Sequence, residues 1–334
     1  MKDIAGKTGL SLATVSRVFN DADKVSPKTR NLVLKVAREL NFRPNKMASA
    51  LRSGRSQTIG IVVPFIGRDI FSVSIQRMEE VLSAAGYSII ICQSHESAEK
   101  EKEILENLKQ LRVDGVIMSV SKETKDASAI QAMKEEGVPV VLFDRTVELD
   151  DINSVLINNF NGAYQAATHL VEQGCQQIAY LAGNDNVSIF KERRRGFEMA
   201  MKDLGREIVP RQIIDFDDGT ESGVATLLAL LAGPHRPDGI LANGDLAALV
   251  AIKCLRQMNL RMPEDVAIIG FGDSTFCPYL DPALSSVSQR NEDVGRLSAE
   301  TILKELQTKD KQEIVYIRQM LPPKVVVRAS SQKK

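Results

Sequence analysis

Residues 2–20 read KDIAGKTGLSLATVSRVFN, two helical runs on either side of a glycine. Ile4, Ala5, Leu10, Val15 and Val18 fall at helical spacing but are split by Gly9. A first helix therefore runs from about Lys2 to Thr8, and Gly9 supplies the positive φ of a sharp turn. Ser11 stands where an N-cap belongs, opening a second helix that runs through Asn20. Two short helices around a tight glycine turn make a helix-turn-helix, whose second helix can lie in a DNA major groove. Leu12, Ala13, Thr14, Ser16 and Arg17 face outward on that helix, and Arg17 is the good base-edge reader among them. On spacing alone, an ordinary helical hairpin at a domain's edge is the alternative.

Charge separates the two. The 334 residues hold 43 basic and 43 acidic side chains, unevenly spread. Residues 1–60 carry 12 Lys and Arg against 4 Asp and Glu, and the rest carry 31 against 39. A basic arm for a polyanion joined to a body that repels one fits this split. The length allows two or three domains with a sizeable core. Cys92, Cys175, Cys254 and Cys277 lie far apart without metal-ligand spacing, so reduced core thiols in a cytosolic protein are expected, with no metal and no cofactor. No apolar run reaches membrane-spanning length and no signal-peptide core is present, so the expectation is a soluble intracellular protein.

Beyond Asn20, Ser26 and Pro27 form a cap-and-proline helix start, and Leu32, Val33, Val36, Ala37 and Leu40 continue it for about fourteen residues to Asn41. Pro44 breaks the pattern. A short piece, KMASALRS, follows with Asn45 as its cap, too short to be stable alone. It reads either as a linker or as a hinge helix that orders on DNA, with Leu51 as a minor-groove wedge.

From Thr58 the texture changes to strands alternating with helices. Apolar strands at 59–64, 87–94, 114–120, 138–144, 152–159, 176–183, 213–217, 238–244, 265–273 and 285–289 are separated by amphipathic stretches such as 73–85, 99–111, 160–173, 193–204, 220–231, 245–258 and 292–307. This pattern implies parallel sheets covered on both faces. A faint repeat supports two similar lobes. Asp114-Gly115-Val116-Ile117 is echoed by Asp238-Gly239-Ile240-Leu241, and the strand ending at Asp144 by the one ending at Asp273. Chain crossings between lobes are expected near Asn158 and Gln289, with a ligand cleft at the carboxyl ends of the strands. Two strand-like pieces, IVYIRQ and KVVVRAS, flank Pro322-Pro323 near the end.

Taken in order, DIA…TG-S-ATVSRVFN, N-F-x-P-N with A-x-x-L-R-S, and INN-x-GA…HL resemble the LacI/GalR family of bacterial transcription regulators over essentially the whole chain. The resemblance implies a helix-turn-helix domain at 1–44, a hinge helix and linker at 45–57, and a periplasmic-binding-protein-like α/β body at 58–334. The body would comprise two doubly wound parallel-sheet lobes, one from about 58–158 plus 290–318 and the other from about 159–289 plus 319–330. It implies a homodimer on a palindromic double-stranded operator, most often a repressor, on the nucleoid of the bacterial cytoplasm. A small effector, a carbohydrate or related metabolite, would sit in the cleft. Leu12, Ala13 and Arg17 match base-reading positions, Thr14, Ser16, Asn20 and Lys24 match backbone-contacting ones, and Asn45, Leu51 and Arg52 complete the DNA-contacting set. Phe71, Asp144, Arg193, Asn243, Asp273 and Gln289 match the ligand cleft, where a carboxylate, a guanidinium and amides suit hydroxyls and carboxylates. Two departures stand out: Gly272 replaces the family's ligand carboxylate with Asp273 one place on, and Gly244 replaces a second one with Asp245 one place on.

Rival readings are a doubly wound enzyme or a solute-binding protein with an appended DNA-binding unit. The chain has no GxGxxG, Walker loop, HExxH or CxxC, and His95, His169 and His235 fall on separate segments without a catalytic constellation. No catalytic residue is expected.

Overall fold

The computed structural model describes residues 1–20, 25–40, 42, 55–216, 221–308, 310 and 313–333, in two compact units, Met1–Ser56 and Gln57–Lys334. The first unit contains α1 (Lys2–Thr8), α2 (Leu12–Asn20) and α3 (Pro27–Glu39). Gly9 ends α1 at φ 68, the left-handed turn that lets α2 leave at a sharp angle. Ser11 Oγ accepts from Thr14 N at 3.1 Å, and Ser26 Oγ from Thr29 N at 3.3 Å, each satisfying an open N–H of the helix it starts. Val15 and Val18 of α2 close the core with Ile4, Val33, Val36 and Ala37. The hinge expected at 45–57 lies mostly outside the described residues.

The second unit alternates strand and helix. Its strands are β1 (Thr58–Val63), β2 (Ser88–Gln93), β3 (Gly115–Met118), β4 (Val140–Phe143), β5 (Asn153–Ile157), β6 (Ile178–Ala182), β7 (Ile213–Asp215), β8 (Gly239–Ala242), β9 (Ala267–Gly272), β10 (Ser285–Ser288), β11 (Arg318–Leu321) and β12 (Lys324–Val326). Its helices are α4 (Asp69–Ala84), α5 (Ala98–Gln110), α6 (Ser128–Glu135), α7 (Asn159–Glu172), α8 (Ser188–Asp203), α9 (Glu221–Ala232), α10 (Asp245–Gln257) and α11 (Asn291–Gln307). The strands form two six-stranded sheets, ordered β11-β5-β4-β3-β1-β2 and β12-β10-β9-β8-β6-β7. Each is the sheet of one lobe, with apolar layers on both faces, which is why the central strands are almost continuously apolar.

The internal repeat has a structural meaning. β3 and β8 hold equivalent places in the two sheets, as do β4 and β9. Asp114 accepts from Gln57 N at 2.9 Å before β1, and Asp238 from Gln176 N at 2.9 Å before β6. Each repeated Asp-Gly thus pins the start of the neighbouring strand.

Three expectations need correction. β11 joins the first sheet, so residues 319–321 belong to the first lobe and the last crossing falls at Pro322-Pro323. β12 pairs antiparallel with β10, because the chain enters the second lobe from the end where its other strands finish. Helix α8 begins at Ser188, five residues before the expected start, and α4 at Asp69, four before. Both helices follow polar loops containing glycine, Gly67-Arg68 before α4 and Gly183-Asn184-Asp185-Asn186 before α8, which drew the expected starts later.

Candidate functional site

Two surfaces have functional character, one in each unit. On α2, burying Val15 and Val18 turns Leu12, Ala13 and Arg17 outward, with Leu12 47% exposed. Thr14 and Ser16 are half-buried at the flank, and Asn20 is the last residue of the helix. An exposed row of one apolar, one small and one guanidinium side chain on a short helix can meet thymine methyls and a guanine edge. Lys24, Asn45, Leu51 and Arg52 lie outside the described residues.

The second surface is a cavity of about 280 Å³ between the lobes. Residues following β4, β8 and β10 and the end of β9 meet there with the first turns of α4, α8 and α10. Carboxyl ends of strands facing helix N-termini across a topological switch are the common ligand position in such sheets. Phe71, Asp144, Arg193, Asn243 and Gln289 all line it.

Asp144 adopts φ 58 just after β4, is 5% exposed, and its Oδ1 accepts no hydrogen bond among the described residues. Burial holds its carboxyl above the ordinary carboxylate range, against the opposing pull of Arg145, Arg193 and Arg68. Arg145 is committed elsewhere: its Nη1 donates to both oxygens of Glu96, at 3.0 and 2.8 Å. Arg193 is held on three sides. Its Nε donates to Asn159 Oδ1 at 2.8 Å, its Nη1 to the Asn243 carbonyl at 2.5 Å, and its plane covers Phe271 at 3.7 Å from the ring centroid. Its Nη2 has no hydrogen-bond partner among the described residues. Burial pushes its pKa down to about 10, so it stays charged at neutral pH. The side-chain amides of Asn243 and Gln289, both buried, are likewise without a hydrogen-bond partner among the described residues. Phe71 forms wall and core at once, 1% exposed and edge-on to Phe143 at 6.0 Å.

Asp273 is the exception. It does not line the cavity, and its carboxylate accepts instead from Arg328 Nη2 at 2.8 Å. Positive φ at both Gly272 (134) and Asp273 (53) swings the chain so that this side chain leaves the cleft. Asp245 is there in its stead. Its Oδ1 accepts from Ser286 Oγ at 2.6 Å and its Oδ2 from Ser274 N at 2.7 Å. A Cβ on Gly270 would stand 2.2 Å from Asp245 Oδ1, and one on Gly272 3.0 Å from Oδ2. The two departures noted in the sequence are therefore one rearrangement, in which the carboxylate of residue 245 fills space that glycines leave under β9. Burial also raises the Asp245 carboxyl, outweighing the hydrogen bonds from Ser286 and Ser274.

Other wall residues escaped the sequence reading: Asp69, Phe190, Ser274 and Phe276 among them. Phe190 had a signal, since Ile189, Phe190 and Arg193 share helical spacing in α8 once its true start is known. Ser274 and Phe276 had none, being set by a loop.

Known proteins match both units. The model of bacterial regulatory proteins of the lacI family covers residues 1–45, and that of the periplasmic binding protein-like domain covers residues 167–331. The HTH-type transcriptional regulator RegA of Clostridium saccharobutylicum is 33% identical over 318 residues, 95% of each chain. Among solved structures, the Lac repressor dimer bound to operator and the anti-inducer ONPF superposes with a TM-score of 0.85 at 26% identity, over 98% of both chains. The complex of the transcriptional regulator CelR with cellobiose gives 0.72 at 29% identity, again over 98% of both. With a helix-turn-helix unit, a two-lobed body and a relative this similar along nearly its whole length, the chain belongs to the LacI family of bacterial transcriptional regulators.

Proposed function

We propose that the protein is a dimeric, cytoplasmic, nucleoid-associated repressor whose α2 reads a palindromic operator, and whose inter-lobe cavity takes a small polyhydroxylated effector. The cavity carries this reading. It presents an unpartnered acceptor on Asp144 and unpartnered donors on Arg193, Asn243 and Gln289 against phenylalanine walls, a set that suits ring hydroxyls stacked on an apolar face. The cellobiose of the CelR complex and the operator of the Lac repressor complex support the two ligand classes. Leu12, Ala13 and Arg17 would touch bases; Thr14, Ser16, Asn20 and Lys24 would touch the backbone, and Asn45, Leu51 and Arg52 the DNA at the hinge. We read the cleft as binding without catalysis, since both oxygens of its carboxylate Asp245 accept from neighbours and the guanidinium of Arg145 is paired through Nη1 with Glu96. None of the described helices is long and apolar enough to cross a membrane.

A thermal-shift screen of the full chain against cellobiose, ribose, sugar acids, sugar phosphates and nucleosides tests the cavity. A true ligand at a hundred times its Kd stabilises by about 2.7 kcal/mol, and Gln289→Ala should lose that shift. A ligand whose shift survives Gln289→Ala sits elsewhere. For the DNA face, selection from random duplexes should return a palindrome. Arg17→Ala should then cost about 1–3 kcal/mol and relax one position per half-site. Unchanged base preference would move readout away from Arg17.

A further inference from the structure

After β9 the loop of residues 273–276 forms one lip of the cleft, with Ser274 and Phe276 in the cavity wall. Two carboxylates grip successive backbone N–H groups of this loop. Asp245, from the loop's own lobe, accepts from Ser274 N at 2.7 Å. Asp69, from the opposite lobe, accepts from Thr275 N at 2.5 Å.

The two grips differ in kind. Asp245 is 3% exposed and is also held by Ser286 Oγ, so it is built into its lobe. Asp69 is only half-buried, and water can take its place at either end of the bond. Its partner is 206 residues away, across the cavity mouth. The loop itself moves with the second lobe, because Asp273 N donates to Ser286 Oγ at 2.9 Å and Cys277 N to Ser274 O at 2.9 Å. Opening the cleft therefore breaks the Asp69 bond while leaving the Asp245 grip intact.

We propose that Asp69 is a closure latch: a positioning residue that holds the lobes together over the cavity by accepting the Thr275 N–H. A charge-assisted bond strengthens as its surroundings lose water, so the latch gains strength as the mouth narrows and biases the lobes toward the closed arrangement. Its consequence for effector retention rests on the cleft being the effector's seat; its effect on lobe geometry does not.

The test uses the full chain without ligand. Spin labels at Glu103 on α5 and Lys202 on α8, both exposed, report the inter-lobe distance by pulsed EPR in a Cys92→Ser background, the other three cysteines being buried. Asp69→Ala should move the distance distribution to longer values and speed amide exchange at Thr275 about tenfold, as loss of one charge-assisted bond implies. Asp69→Asn, whose amide oxygen still accepts, should stay nearer the wild type than Asp69→Ala does. A wild-type distance distribution in Asp69→Ala, or an Asp69→Asn protein as open as Asp69→Ala, overturns the latch. Because no effector enters the measurement, loss of the latch leaves the effector reading standing, and an empty ligand screen leaves the latch measurable.

Discussion

Ser11 and Asp245 do the same job in two different regions. Each offers a side-chain oxygen to a backbone N–H that the chain's own regular structure leaves open. Ser11 reaches Thr14, three residues on, whereas Asp245 reaches Ser274, 29 residues on, and Asp69 reaches Thr275 from 206 residues away. The helix-turn-helix unit is thus built from bonds written locally, and the cleft from bonds that exist only once a whole lobe, or in the case of Asp69 both lobes, have folded. Local caps are replaceable by water, because their helix ends lie at the surface. The grip of Asp245 is not, because it and Ser286 are buried together.

That contrast is broken most severely at Asp245. Asp245→Ala leaves the Ser286 hydroxyl proton and the Ser274 N–H without their acceptor, opens a void under Gly270 and Gly272, and loosens the loop of residues 273–276. A loss of about 3 kcal/mol in the unfolding free energy of the body is expected, as for buried groups left unpaired, together with loss of ligand-induced shift. Urea unfolding measures it. A change below about 1 kcal/mol would mean that water replaces the carboxylate, and that the region is no different from a surface cap.

The same contrast explains what could be read in advance. The caps at Ser11 and Ser26, the Gly9 turn and the inward Val15 and Val18 follow from spacing within a few residues, as do the alternating strands and helices of the body. Asp144, Arg193, Asn243 and Gln289 were found because each sits at a strand end or helix face that the family resemblance marks, and they converge on one cavity. Asp273 failed for a reason no pattern carries: two successive positive φ angles turn its side chain toward Arg328, in a tail 55 residues on. The exchange of roles between positions 272 and 245 was visible as two separate oddities. Only contact distances join them.

Asp144 sharpens the comparison within the cleft. It shares burial with Asp245 but lacks the donors, so its ionised form is poorly compensated. A carboxyl raised on folding binds its proton more tightly in the native state. The folded body therefore loses stability as pH climbs from the ordinary carboxylate pKa near 4 toward the raised value. Asp144→Asn removes this contribution, so its unfolding free energy should fall less steeply than the wild type's between about pH 4 and neutrality. Parallel slopes would show that the nearby arginines cancel the burial. Asp245 contributes in the same direction, so a residual slope in the variant is expected.

The smallest effect belongs to Ser11→Ala. The variant loses the Thr14 N–H acceptor and the 2.9 Å contact between the Ser11 and Thr14 hydroxyls, both exposed. Water replaces them, so the cost should be about 1 kcal/mol in the helix-turn-helix unit, the usual value of a lost N-cap. The body, a compact unit of its own, should unfold as before. The cap also sets where α2 starts, and Leu12 and Ala13 are its first two residues. A frayed first turn would blur the two apolar contacts while leaving Arg17, one turn further in, on a formed helix. Operator affinity should then fall less than in Arg17→Ala, with relaxed preference confined to the base pairs that Leu12 and Ala13 face. Relaxation at the Arg17 position as well would show that the cap orders the whole helix, and that a local bond here has the reach of a long-range one.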